Sequence, residues 1–174
     1  MATTFSQITQ FLDNQNWKYH KIPGQPYILI GITTQHVQQL AVLIKLSENG
    51  RYLKFKVPQL LQVKDHVFMG LLFRAMANIS YSVKMLRLQY DPMSGEVSAS
   101  IELPLEDAPL TERQFNRYLE GLVKLVNTTR PRLKAILATG NDPGQKNFVE
   151  QLWDAMPTAM QKQLQEIVMR HQAG

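Results

Sequence analysis

The sequence predicts an α+β fold: an antiparallel sheet of about five to six strands with helices packed on it, followed by a C-terminal helical hairpin. Three observations carry that expectation. Two hairpin patterns of alternating apolar and polar residues recur, over Leu40 to Val57 and over Val83 to Leu103. Single amphipathic helices fall between the hairpins and do not alternate strand by strand, which argues against a parallel βαβ arrangement. A cluster of breakers, Gly140-Asn141-Asp142-Pro143-Gly144, then separates a short helical tail from everything before it.

Taken in order, Thr3 or Thr4 caps a helix in which Phe5, Ile8, Phe11 and Leu12 recur at helical spacing, ending near Asn14 to Asn16. Trp17 to Ile22 alternates as a strand. Pro23-Gly24-Gln25-Pro26 breaks the chain before a second strand over Tyr27 to Ile32. Leu40, Val42, Ile44 and Leu46 pair through the turn Ser47-Glu48-Asn49-Gly50 with Leu53, Phe55 and Val57, and Pro58 is expected to end that hairpin. Asp65 is expected to cap a helix that gathers Phe68, Leu71, Leu72, Ala75, Met76 and Ile79 on one arc. The second hairpin turns at Asp91 to Gly95 and returns with Val97, Ala99, Ile101 and Leu103 on one face and Ser98, Ser100 and Glu102 on the other, so one face should be buried and one wet.

Thr111 and Gln114 match a capping box, opening a helix with Phe115, Leu119, Leu122 and Val126 on one side and Arg113, Arg117, Glu120 and Lys124 opposite. Pro131 is expected to kink or end it, with one further helical piece through Leu137. After the breaker cluster, Phe148 to Met156 and Met160 to Val168 read as two helices interrupted by Pro157. The expected organisation is a domain over 1–139, a linker over 140–144 and a helical hairpin over 145–174.

With 174 residues the chain can bury a core without staples, and it contains no Cys, which excludes a disulfide framework, thiolate metal ligands and a cysteine nucleophile. No basic leader with an apolar run opens the sequence, and no stretch reaches the roughly 18 apolar residues of a membrane span, so a soluble cytoplasmic protein with no membrane partner is expected. His20, His36, His66 and His171 lie in different elements and at no metal-ligand spacing, so neither metal nor other cofactor is expected. No nucleophile elbow or phosphate-binding glycine loop is present, and Glu102, Glu106 and Asp107, next to Pro104 and Pro109, read as a solvated loop and not as an acid/base pair. The expectation is a protein without catalytic residues.

The net charge is +5, and the segment from Arg113 to Lys134 holds six cations against one acid, a balance equal to that whole excess. Arg113, Arg117 and Lys124 are therefore the first candidates to touch a partner, and Lys45, Lys54 and Lys56 with Tyr52 are the second, as an outward-facing basic patch on the first hairpin. A solvated surface is the bland alternative for both. The Met residues, Met76, Met85, Met156 and Met160 among them, fall at helical or strand spacing and read mostly as core.

Between Trp17 and Leu137 the chain resembles the YbjN-domain family, whose fold resembles that of the type III secretion chaperones, and it is similar to cyanobacterial members. The residues that carry the likeness are the hairpin ending in Val57-Pro58, the helix over Asp65 to Ser80, the strand pair joined by Asp91 to Gly95, and the stretch Glu102-Leu103-Pro104-Leu105-Glu106-Asp107-Ala108-Pro109-Leu110-Thr111 before the long helix. The resemblance implies a homodimer with a chaperone-like or regulatory role. It brings no functional residues with it, and the chain departs from it in being basic and in its C-terminal hairpin. The expected function is thus a non-enzymatic module that holds a protein or peptide, with a basic nucleic-acid-associated regulator as the alternative.

Overall fold

A computed structural model describes residues 2–34, 39–106, 108–144, 153 and 156–172. The chain divides into two units, Met1–Asp142 and Pro143–Gly174. In the first, α1 (Phe5–Asn14) leads into β1 (Tyr19–Lys21), β2 (Tyr27–Ile32), β3 (Leu40–Ser47), β4 (Tyr52–Gln62), α2 (Met69–Ser82), β5 (Arg87–Asp91), β6 (Glu96–Pro104) and α3 (Glu112–Thr139). The six strands form one antiparallel sheet in the order β1-β2-β3-β4-β6-β5. The α+β expectation therefore holds.

One side of that sheet is the core. Ile28, Ile30, Val42, Ile44, Leu53, Phe55, Val57, Val97, Ala99 and Ile101 alternate onto it, and the helices bring Ile8, Leu12, Leu72, Ala75, Phe115, Leu119, Leu122 and Val126 down over them, all buried. The ring of Phe115 stands 5.4 Å from that of Phe55 and 5.7 Å from that of Phe11, so one residue of α3 ties together the central strand and α1. Capping boxes at Thr4 with Gln7 and at Thr111 with Gln114 set both helix starts. Gly50, with φ near +86°, lets the turn after β3 sit against the N-terminal segment: Thr3 donates its N–H to the Gly50 carbonyl at 3.2 Å, and a Cβ on residue 50 would strike the Thr3 backbone. The Thr3 hydroxyl then accepts from the Leu110 N–H at 2.9 Å, which anchors the approach to α3.

Several expectations need correction. The first strand is only Tyr19–Lys21. Pro58 does not end β4: the strand continues to Gln62, because a register shift between Val57 and Leu61 leaves Pro58, Gln59 and Leu60 in a bulge where no ladder N–H is required of the proline. Arg130 Nε donates to the Leu60 carbonyl at 3.0 Å and so holds that bulge against α3. Asp65 does not cap α2. It lies at φ +52°, and the helix begins after Phe68, whose N–H is taken by Nδ1 of His66 at 3.2 Å.

Pro131 lies inside α3 without ending it, since Thr129, Leu133 and Ile136 stay buried on either side of it while the ring itself faces outward. Gly140 closes the helix in the left-handed conformation, against the ring of Phe68. The serine face of β6 is also not wet: Ser98 and Ser100 are 5% and 0% exposed, because the long side chains of β4 and β5 fold over them, and Ser100 Oγ meets Gln89 Oε1 at 3.3 Å.

In the second unit α4 (Thr158–Gln172) follows Pro157, and the Gln161 side-chain amide donates to the carbonyls of Trp153 at 2.6 Å and Met156 at 3.2 Å. The first helix expected for the terminal hairpin lies mostly outside the described residues. Among the described residues no helix is long and apolar enough to cross a membrane, and no group of three His, Asp or Glu could hold a metal. His36, Asp107 and the side chain of His171 lie outside the described set.

Candidate functional site

The register decides which cations share a surface. Side chains on the face of the sheet opposite the helices are Tyr27, Leu29 and Gly31 of β2, Ala41, Leu43 and Lys45 of β3, Tyr52, Lys54 and Lys56 of β4, Glu96, Ser98, Ser100 and Glu102 of β6, and Arg87 and Gln89 of β5. Strand alternation puts Lys45, Tyr52, Lys54 and Lys56 together, as expected from their spacing. It also brings two carboxylates among them.

Glu102 is the hub. Its Oε1 lies 2.7 Å from Lys54 Nζ, and its Oε2 accepts from the Tyr52 hydroxyl at 2.8 Å and from Arg87 at 3.4 Å. Hydrogen bonding to Lys54 and then to Tyr52 holds the Glu102 carboxyl below its ordinary value, and the same carboxylate raises the Tyr52 phenol. Lys56 Nζ lies 3.4 Å from Glu96 Oε1, an oxygen that is buried and has no well-formed hydrogen bond, so this second pair is the looser one. Lys45 stands directly across from Lys54, and its Nζ sits 5.5 Å above the Tyr27 ring. The predicted basic patch is thus assembled, and β6 sets Glu102 and Glu96 against Lys54 and Lys56. Toward β2, on the face turned away from α1, α2 and α3, lie the half-buried apolar residues Tyr27, Leu29, Ala41 and Leu43, beside the exposed Gly31.

Arg113, Arg117 and Lys124 lie on the outward face of α3, all exposed, and with Asn116, Gly121, Glu112 and Glu120 they line a shallow groove of about 750 Å³. None of the three has an ion pair with a described residue. Glu112 accepts from Asn14 at 2.9 Å, joining α1 to the start of this groove. The basic segment does not continue as one surface: Arg130 holds the β4 bulge, and Arg132 makes a two-pronged pair with Asp142 at 2.7 and 2.8 Å, which raises the Arg132 pKa, and also reaches Asn78 at 3.1 Å.

One feature went unseen in the sequence. β5 is an edge strand, and the ring of Phe73, 40% exposed, stands tilted at 5.0 Å from that of its Tyr90, while Tyr81 at the end of α2 and Met85 before β5 are 92% and 51% exposed. Large apolar side chains next to an open strand edge form the kind of surface that other chains cover. With Leu72, Ala75, Met76 and Ile79 on the buried arc of α2, the helical period puts Tyr81 opposite that arc and Phe73 outside its margin, and only the pairing that leaves β5 at the sheet edge is beyond the reach of periodicity.

No protein-family model matches this sequence, and no curated protein does. Solved structures match by shape. E. coli YbjN, described as a candidate transcription regulator, aligns with a TM-score of 0.59 and 12% identity over 78% of this chain and 93% of its own. The fold is that of YbjN and the type III secretion chaperones. A chain of the HopA1–SchA chaperone–effector complex aligns with a TM-score of 0.52 and 16% identity over 70% of this chain and 88% of its own. The ExsC–ExsE complex gives 0.51 and 13% over 75% and 96%. At these identities the likeness establishes architecture, and the YbjN-like resemblance read from the hairpins and the Glu102 to Thr111 stretch holds at that level.

Proposed function

We propose that this chain is a non-enzymatic, chaperone-like protein-binding module that holds a segment of a partner protein on its sheet. The observation that supports the reading is the sheet face turned away from α1, α2 and α3, where the half-buried apolar area of Tyr27, Leu29, Ala41 and Leu43 adjoins cations of which Lys54 and Lys56 are paired with Glu102 and Glu96. Such a surface offers apolar contact and main-chain approach at Gly31. Glu102 and Glu96 stand among its cations, so a phosphate backbone laid across it would also meet like charge. The fold shared with a chain of a chaperone–effector complex supports the same reading.

A homodimer joined at the β5 edge fits the exposed Phe73, Tyr81 and Met85, and a cytoplasmic location fits the Cys-free composition. The sheet-face reading is tested by capture from native extract, with nuclease treatment and a high-salt wash, using wild type and Leu29→Glu/Leu43→Glu. A defined protein retained by the first and lost from the folded double variant is the expected result. Retention of the same protein by both would remove the sheet face from the account.

A further inference from the structure

The two edges of the sheet are built differently. β1, at one edge, is short, follows Lys18 and ends in Lys21, the brief and lysine-bearing form that resists pairing with another chain. β5, at the other, runs Arg87-Leu88-Gln89-Tyr90-Asp91 and carries no lysine. It pairs with β6 on one side, so its remaining main-chain groups line an open edge.

That edge is complementary to itself. When two copies of β5 run antiparallel about a two-fold axis through Gln89, Arg87 stands opposite the partner's Asp91 and Leu88 opposite the partner's Tyr90. Directly opposed residues point to the same face, so opposite charges meet at both ends of the seam on the outer face, and apolar side chains meet on the helix-covered face. A slip by two residues sets Arg87 or Asp91 against Gln89 and leaves part of the strand unpaired, and a slip by one turns the apolar face of the copy outward. Arg87 and Asp91 are both exposed. Arg87 reaches Glu102 through one guanidinium nitrogen at 3.4 Å, and the Asp91 carboxylate accepts from the Met93 N–H at 2.9 Å and the Ser94 hydroxyl at 2.7 Å, within its own turn. Each keeps further hydrogen-bonding capacity. The same axis brings α2 and its copy to one side of the seam, next to which Phe73, in ring contact with Tyr90, keeps 40% of its surface open.

We infer that a second copy of this chain pairs on β5 in this register, joining two sheets into one. The inference rests on the β5-edge homodimer proposed above and gives it a register and the residues that set it.

The test is sedimentation of the full chain, with wild type expected to be dimeric at on the order of 0.1 mM. Arg87→Glu places two carboxylates opposite each other at both ends of the seam, and Asp91→Lys places two cations there, so each variant alone should associate at least about tenfold more weakly. Mixed in equal amounts, the two variants again set a carboxylate against a cation at both ends, and the mixture should dimerise, which also shows that both are folded. Gln89→Cys, in a chain with no other cysteine, should form a disulfide with its own copy under mild oxidation. Arg87→Cys should not, because the axis leaves its two copies about 13 Å apart along the strands. A monomer at every concentration would remove the homodimer and the register together. A dimer indifferent to the charge variants and to the cysteine at position 89 would leave the homodimer standing and overturn the register. Neither outcome touches the sheet-face reading, which capture with Leu29→Glu/Leu43→Glu decides.

Discussion

The sheet and α3 both present cations to solvent, yet they treat them in opposite ways. On the sheet, Lys54, Lys56 and Arg87 meet Glu102 and Glu96 from the neighbouring strand, and Tyr52 donates to the same hub. On the first half of α3, Arg113, Arg117 and Lys124 have no carboxylate partner among the described residues, while the second half of the same helix uses Arg130 and Arg132 to fasten the β4 bulge and the end of the unit. Charge count alone therefore does not locate a binding surface. What matters is whether the fold already supplies the counter-charge.

Substitutions can sharpen or break that contrast, and the largest effect belongs to the fastening cations. Asp142→Ala removes a carboxylate whose side chain is 7% exposed and leaves Arg132, itself 18% exposed, without its two-pronged partner. A loss of about 2–3 kcal/mol in urea unfolding is expected. A loss below about 0.5 kcal/mol, the range of an ordinary surface change, would show that the pair fastens nothing.

Next comes Glu102→Gln, which strips three donors of their shared carboxylate. Because Lys54 and Arg87 are partly exposed and screened, the expected loss at neutral pH is about 1 kcal/mol. The folded-state pKa of Glu102 is depressed, so its contribution is complete above the ordinary carboxylate value and disappears as pH falls through the folded value. The gap between wild type and variant should close on acidification. A gap that stays constant down the acid limb would contradict the hub assignment.

How much of this was legible in the sequence depended on distance along the chain. Local signals read well: the capping box at Thr111 and Gln114, the alternation from Leu40 to Val57 and the turn at Asp91 to Gly95 each rest on neighbours within a few residues. Long-range register did not read. Nothing near Lys54 announces that Glu102 will stand opposite it, so the sequence shows the lysines of the patch without the carboxylates that pair two of them. Pro58 and Asp65 misled for a related reason. A proline within an alternating run and an acid before an apolar helix are ordinary stop and start signals, and here a bulge held by Arg130 and a left-handed residue followed by the His66 contact override them. The dry serines of β6 depend on which long side chains lie across them, which is also a question of register.

The smallest effect on stability is expected where the cations are unmatched. Arg113→Glu/Arg117→Glu/Lys124→Glu should leave the urea midpoint close to wild type, each change falling within about 0.5 kcal/mol. A clear destabilisation would mean that these side chains are structural, which would erase the difference between the two regions. Lys45→Ala should be equally quiet, since its contact is with the Tyr27 ring and no carboxylate.

The protein-binding role itself is tested most directly by capture from nuclease-treated native extract, run in parallel with wild type, Leu29→Glu/Leu43→Glu and the α3 triple reversal. The expected result is one defined protein that survives the high-salt wash on wild type, is lost from the sheet variant, and is captured less efficiently by the α3 variant. Nucleic acid that elutes with salt before any nuclease is added, with no protein dependent on either face, would contradict the account and make the chain a nucleic-acid-associated protein.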